Sequence, residues 1–174
     1  MIDKIFYLIF FILILALSRL IPHPANFTPI IASAIMAPML IKSRTFGLLI
    51  PLIAMFLTDI VIGFHSYQFV IYLTIITIGL ITTMKNNFVN LMLFSFLSSL
   101  WFFIITNFAV WIVWDYYPKT FEGLILCYTL AIPFFTNTLI STCLFVGLFS
   151  LINNKLERLN DKIKSYILSN YNII

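Results

Sequence analysis

No residue between Lys85 and Asp115 carries a charge, and the same is true of residues 5–18, 20–41, 60–84 and 123–154. Apolar runs of about 18 or more residues have the length a helix needs to cross the roughly 30 Å hydrocarbon core of a bilayer. In water these runs would expose a continuous apolar surface. Charged residues are 9% of the chain and hydrophobic ones 62%, against about 25% and 45–50% in soluble domains. The expected fold class is therefore all-α, a polytopic membrane helix bundle. Six spans at roughly 20 residues each use about 120 residues, so a chain of 174 has room for short loops and a tail but none for a soluble catalytic domain. Any function has to sit in the bundle.

Charges, prolines and Asn-rich breaks divide residues 1–152 into spans near 5–21, 27–41, 46–64, 67–84, 88–114 and 134–152. The second is short and carries Pro29 and Pro38, so it is expected to be bent or braced by neighbours that satisfy the freed backbone groups. The stretch 120–131 is apolar and runs into Pro133. It reads as a short surface or re-entrant helix, or as a seventh crossing. Residues 5–18 also resemble the apolar core of a signal peptide, with Ala16-Leu17-Ser18 as a cleavage site.

Basic residues give the orientation, because cytoplasmic loops carry the excess of Lys and Arg. With a cytoplasmic N-terminus, Lys4, Lys42, Arg44, Lys85, Lys155, Arg158, Lys162 and Lys164 fall inside, and only Arg19 and Lys119 fall outside. An even number of spans keeps the C-terminus cytoplasmic as well. The chain is thus expected to be a multi-pass membrane protein with both termini on the cytoplasmic side and the lipid bilayer as its first partner. A net charge of +4 spread over loop ends makes no basic face for nucleic acid. The tail, 153–174, places Leu156, Leu159, Ile163 and Ile167 at helical spacing among Lys155, Arg158, Lys162 and Lys164. This is a basic amphipathic helix suited to the anionic inner leaflet or to a cytoplasmic partner; a solvated helix end that only fixes topology reads equally well.

The unusual polar residues gather on the outer side. Arg19, Pro22, His23, Pro24, Asn26 and Thr28 surround the first outer loop; Asp59 lies about 7 Å below the outer end of the third span, and His65 follows that end. Asn107, Trp111 and Asp115 are spaced to share one helical face, with Trp114 beside them. A carboxylate near the bilayer centre costs at least about 2.5–3.5 kcal/mol unless paired or hydrated, which makes Arg19 and Asp59 a candidate structural ion pair. The candidate substrate-binding residues are Asp59, Asn107, Trp111, Trp114 and Asn137, offering flat rings for stacking and amides that both donate and accept. Each has an alternative role as interhelical glue or interfacial belt.

Other chemistries lack their residues. His23 and His65 have no fixed metal-ligand spacing, Cys127 and Cys143 read as packing residues, and no Gly-rich phosphate loop is present. No metal site and no cofactor are expected. An intramembrane hydrolase needs a nucleophile and base or two carboxylates, and only Asp59 lies within a span. The chain is expected not to be an enzyme.

Arg19 to Pro29 (RLIPHPANFTP), Pro51 through Asp59 to His65, TNFAVW at 106–111, Tyr117 to Thr120, Cys127-Tyr128 and IPFFTN at 132–137 resemble an uncharacterised family of small bacterial six-span integral membrane proteins. More loosely, the layout is similar to the substrate-binding S components of energy-coupling factor (ECF) transporters. That resemblance implies a vitamin- or metal-like ligand bound near the outer surface, import of that ligand, and as partners two ATPases and a coupling membrane subunit. S components present Ala-x-x-x-Ala on the first span for the coupling subunit; here that span has only Ala16 and Ser18, and the Ser33/Ala37 pair sits on the second. A reading from a different class is a non-catalytic membrane scaffold or assembly protein, with the outer cluster docking an envelope protein.

Overall fold

The computed structural model describes residues 2–82 and 87–171, and the side chains of 8–82 and 87–167. Lys85, the side chains of Asp3 and Lys4, and tail residues 172–174 lie outside this description. Among the described residues there are six helices and no strand: α1 (Ile2–Leu20), α2 (Ile30–Ile41), α3 (Arg44–Ile62), α4 (Gln68–Ile81), α5 (Phe88–Val113) and α6 (Phe121–Tyr171). The connections α1–α2, α3–α4 and α5–α6 lie at one end of this bundle.

α2 is the centre. Its 12 residues pack against α3, α4, α5 and α6, and every residue from Ile30 to Pro38 is buried. A helix that is apolar or small on all sides is stable only when surrounded, and Ala32, Ser33, Ala34 and Ala37 let neighbouring backbones come close. The neighbours supply glycines where they touch. A Cβ on Gly47 of α3 would collide with the backbone of Pro38 and come 2.8 Å from the carbonyl carbon of Ala37. One on Gly79 of α4 would run into Leu48 and lie 3.1 Å from the Ala34 carbonyl oxygen, the acceptor that Pro38, lacking an N–H, leaves without its usual helical donor. α2 begins later than the sequence suggests, because Phe27 and Thr28 belong to a turn closed by Phe27 N to Pro24 O, 2.9 Å, and Thr28 N to Asn26 O, 3.1 Å, with Pro29 as N-cap.

α6 departs most from expectation. The stretch expected as a surface or re-entrant helix, the last span at 134–152 and the tail as far as Tyr171 are one continuous helix of 51 residues, and Pro133 does not interrupt it. The cause is its antiparallel neighbour α5. Tyr128 Oη donates to Ile104 O at 2.6 Å, and the Phe103 ring packs on both Tyr128 and Phe135, so the turns on either side of the proline are held against the same helix. Asp115 lies beyond the end of α5 at Val113 and is fully exposed, so it does not continue the face of Asn107 and Trp111.

Among the described residues, three helices are long and apolar enough to cross a membrane: Arg44–Ile62, Phe88–Val113 and the stretch Phe121–Ile167 of α6, with mean hydropathies of 2.2, 2.1 and 1.8 over their best windows. α2 and α4 are apolar but shorter, at 12 and 14 residues. Large side chains face outward around the bundle, including Phe69, Val61 and Val89, a surface suited to lipid rather than water.

If the α2–α3 contact sets the core, Gly47→Val should lower the thermal midpoint of the purified protein, with a cost of at least about 1–3 kcal/mol from overpacking. Gly147→Ala, where nothing lies within 4 Å of the added carbon, should leave it unchanged or slightly raised.

Candidate functional site

Asp59 is 1% exposed and sits in the last turn of α3, where it draws partners from two other helices. Arg19, in the last turn of α1, places Nη2 2.8 Å from Asp59 Oδ1. Its Nη1 donates to Met55 O at 3.1 Å and to Thr58 Oγ1. The other carboxylate oxygen, Oδ2, accepts from Gln68 Nε2 and, at 2.7 Å, from Tyr72 Oη. Gln68 is oriented for this, because its Oε1 accepts the His65 backbone N–H at 3.1 Å. Ion pairing and charge-assisted hydrogen bonds thus replace the water that a buried carboxylate loses, and they tie the ends of α1, α3 and α4 together.

This network forms one wall of a cavity of about 310 Å³. Ile30 and Ile31 at the start of α2 form part of its lining, with Asn26, Tyr67 and Thr138. A second cavity of about 360 Å³ is richer in aromatic rings, lined by Trp114, Tyr116, Tyr117 and Phe134 among others, with Thr106 and Asn107. Asn26, Tyr67, Ile71 and Phe102 line both, so a polar and an aromatic compartment adjoin across one wall. Asn26 reaches this place from a left-handed backbone conformation, φ 63°, which Asn tolerates better than most residues.

The sequence-derived candidates divide. Asp59 lines the polar cavity, and Asn107 and Trp114 line the aromatic one. Asn107 Nδ2 donates to Phe103 O at 2.8 Å. The Trp114 ring packs edge-on against Tyr67 and Tyr116, with centroids 5.3 and 4.9 Å away. Trp111 lines neither cavity: Nε1 donates to Pro118 O at 2.9 Å, and Lys119 Nζ lies 6.0 Å from its ring while bonding the Trp111 and Trp114 carbonyls at the α5 terminus. Asn137 also lines neither, and its Nδ2 donates to Ala25 O at 3.0 Å, tethering the α1–α2 connection to α6. Gln68 and Tyr72 are partners that sequence reasoning missed. Their signal was the chain's one glutamine, spaced i, i+4 from a tyrosine in an apolar run.

His23, His65 and Asp59 line the same cavity, but among the described residues no group of three or more His, Cys, Asp and Glu could hold a metal ion. His23 Nδ1 is 2.6 Å from Ile21 O, and the His65 ring packs on Tyr67. Cys127 and Cys143 are unbridged. Cys127 lines the aromatic cavity with Sγ 3.5 Å from Asn107 O.

Removing one member of a buried, hydrogen-bonded pair strands the other and costs about 3–5 kcal/mol. Asp59→Leu and Arg19→Met should each sharply lower thermal stability, whereas the double variant should recover most of the loss. A double-mutant cycle on thermal midpoints reads the coupling, and additive losses would deny it.

Comparison with curated proteins and with solved structures gives no match. Residues 1–160 match the family of unknown function DUF6580, and the chain belongs to that family.

Proposed function

We propose that this protein is a six-span protein of a bacterial cytoplasmic membrane, both termini inside, that binds a small molecule at its outer face and serves its uptake in the manner of an ECF S component. The carrying observation is the pair of adjoining cavities, about 310 and 360 Å³, at the end of the bundle where α1–α2, α3–α4 and α5–α6 connect. Each lies within the size range of small-molecule sites, and the combination of rings with a few fixed polar groups suits recognition of a flat, polar-substituted molecule.

The orientation reading agrees with this placement, since the basic excess of Lys42, Arg44 and the tail falls at the opposite end. α2 and α4 are shorter than the hydrocarbon core in this reading, and the connections at Asn26 and Tyr67 complete their crossings inside protein rather than lipid, the condition under which irregular backbone is tolerated at membrane depth. Asn107, Trp114, Asn26 and Tyr67 contact the ligand, whereas the Arg19–Asp59 pair holds the wall. Energy for import comes from partners, two ATPases and a coupling membrane subunit.

The test is a thermal-shift screen of the purified protein against vitamins and metal ions, because a ligand at about 100 times its Kd stabilises by roughly 2.7 kcal/mol. A compound that raises the midpoint should lose its effect on Asn107→Ala and Tyr67→Ala. Trp111→Ala should lower the basal midpoint yet leave the ligand-induced shift in place. A shift abolished by Trp111→Ala but not by Asn107→Ala, or no shift across the screen, would sink this reading.

A further inference from the structure

We propose that the ligand of the paired cavities is a flat aromatic monocarboxylate, with its ring in the aromatic compartment and its carboxylate across the shared wall in the polar one. The inference rests on the ligand-binding reading above and names the chemistry that this reading leaves open.

The ring end follows from what the aromatic compartment lacks. No Asp, Glu, Lys or Arg is among its described lining residues, so a charge placed there would lose its water without gaining a partner. What it offers is ring surface, from Tyr67 and Phe102 on the shared wall to Trp114 and Phe134 beyond. Asn107 donates one N–H to Phe103 O, and its Oδ1 makes no hydrogen bond among the described residues. An acceptor and a second donor are left for substituents at a ring edge.

The charged end follows from how Asp59 is held. It is the one carboxylate among the described residues lining either cavity. It is also withdrawn, with Oδ2 taken up by Gln68 and Tyr72 and Oδ1 paired with Arg19. Arg19 is less enclosed, its side chain 16% exposed against 1% for Asp59. Its Nη1 carries the bonds to Met55 O and Thr58 Oγ1, while Nε and Nη2 donate no hydrogen bond among the described residues. The pair therefore holds the wall and shows the cavity its cationic half.

Asn26 and Tyr67 on the shared wall and Thr28 on the polar side add an amide and two hydroxyls, none hydrogen-bonded through its side chain among the described residues. Each can donate. A carboxylate accepts from several donors at once, and such bonds are about twice as strong as neutral ones. A cation would find the single carboxylate buried and already paired. A phosphate monoester, at about −1.5 to −2 charge, would face one guanidinium that Asp59 already balances, and neither Lys nor a second Arg lines the space. One negative charge is what these walls match.

The test uses the full chain in nanodiscs of zwitterionic lipid, with empty nanodiscs as background, and ligand-observed NMR titrations of benzoate, benzamide, benzylammonium and phenyl phosphate. Benzoate should bind at least about tenfold more tightly than the other three. Asn26→Gly keeps a residue suited to the left-handed backbone, φ 63°, and Tyr67→Phe keeps the ring. Each removes a donor and should weaken benzoate by about tenfold and benzamide by less. Arg19→Gln with Asp59→Asn, which neutralises the pair, should bring benzoate level with benzamide. A preference for the amide, the cation or the phosphate that Asn107→Ala abolishes would overturn the acid while upholding a ligand site. Benzoate that fails to bind, or that binds Asn26→Gly and Tyr67→Phe as it does the unaltered chain, would overturn the acid whatever the wider ligand screen finds.

Discussion

α2 is too short to match its neighbours and too apolar to lie anywhere but among them. Twelve residues rise about 18 Å, whereas α5 has 26 residues and α3 19. A short helix packed on all sides by longer ones leaves a volume at one of its ends. Here that end is the N-terminus, where Ile30 and Ile31 meet the polar cavity. Close packing below and open space above share one cause: Gly47 and Gly79 draw α3 and α4 tightly onto the lower part of α2, and nothing of α2 continues upward between them.

The polar network answers to that volume. With no helix above Ile30, the ends of α1, α3 and α4 are left to be joined by side chains, and in a largely apolar setting charges hold best in pairs with further hydrogen bonds. Arg19, Asp59, Gln68 and Tyr72 form such a set. Asp59 Oδ2 is taken up by Gln68 and Tyr72, while Oδ1 is held by the ion pair with Arg19 and makes no hydrogen bond. Exposed Asn26 and half-buried Tyr67, Asn107 and Trp114 are among the lining groups with surface to offer a ligand.

The helical class, six apolar segments and the residues Arg19 and Asp59 were legible in the sequence because charge is so scarce that each exception stands out. The start of α2, the end of α3 and the start of α5 were legible to within a few residues, since Pro29, Gly63 and Asn87 break the pattern. The continuity of α6 was not. Pro133 is a helix breaker on local grounds, and only the contacts of Tyr128 and Phe135 with α5 overrule it. The fate of Trp111 and Asn137 was equally hidden, because the spacing that puts Trp111 on a face with Asn107 says nothing of the Pro118 carbonyl that comes back to meet it. The expectation that polar residues keep to one end also needed refining. Ser95, Ser99 and Thr82 are buried elsewhere, and each returns its hydroxyl to its own helix four residues back, which leaves no free donor for a ligand.

The small residues of α1 bear on how such a bundle meets a partner. Ala16 and its neighbour Leu15 are buried against the core, while Ile9, Phe10, Leu13 and Leu17 face outward. Close helix docking needs small side chains at the contact, and the outward face of α1 offers bulky ones. The Ser33/Ala37 pair is no substitute, because both residues are fully buried within α2.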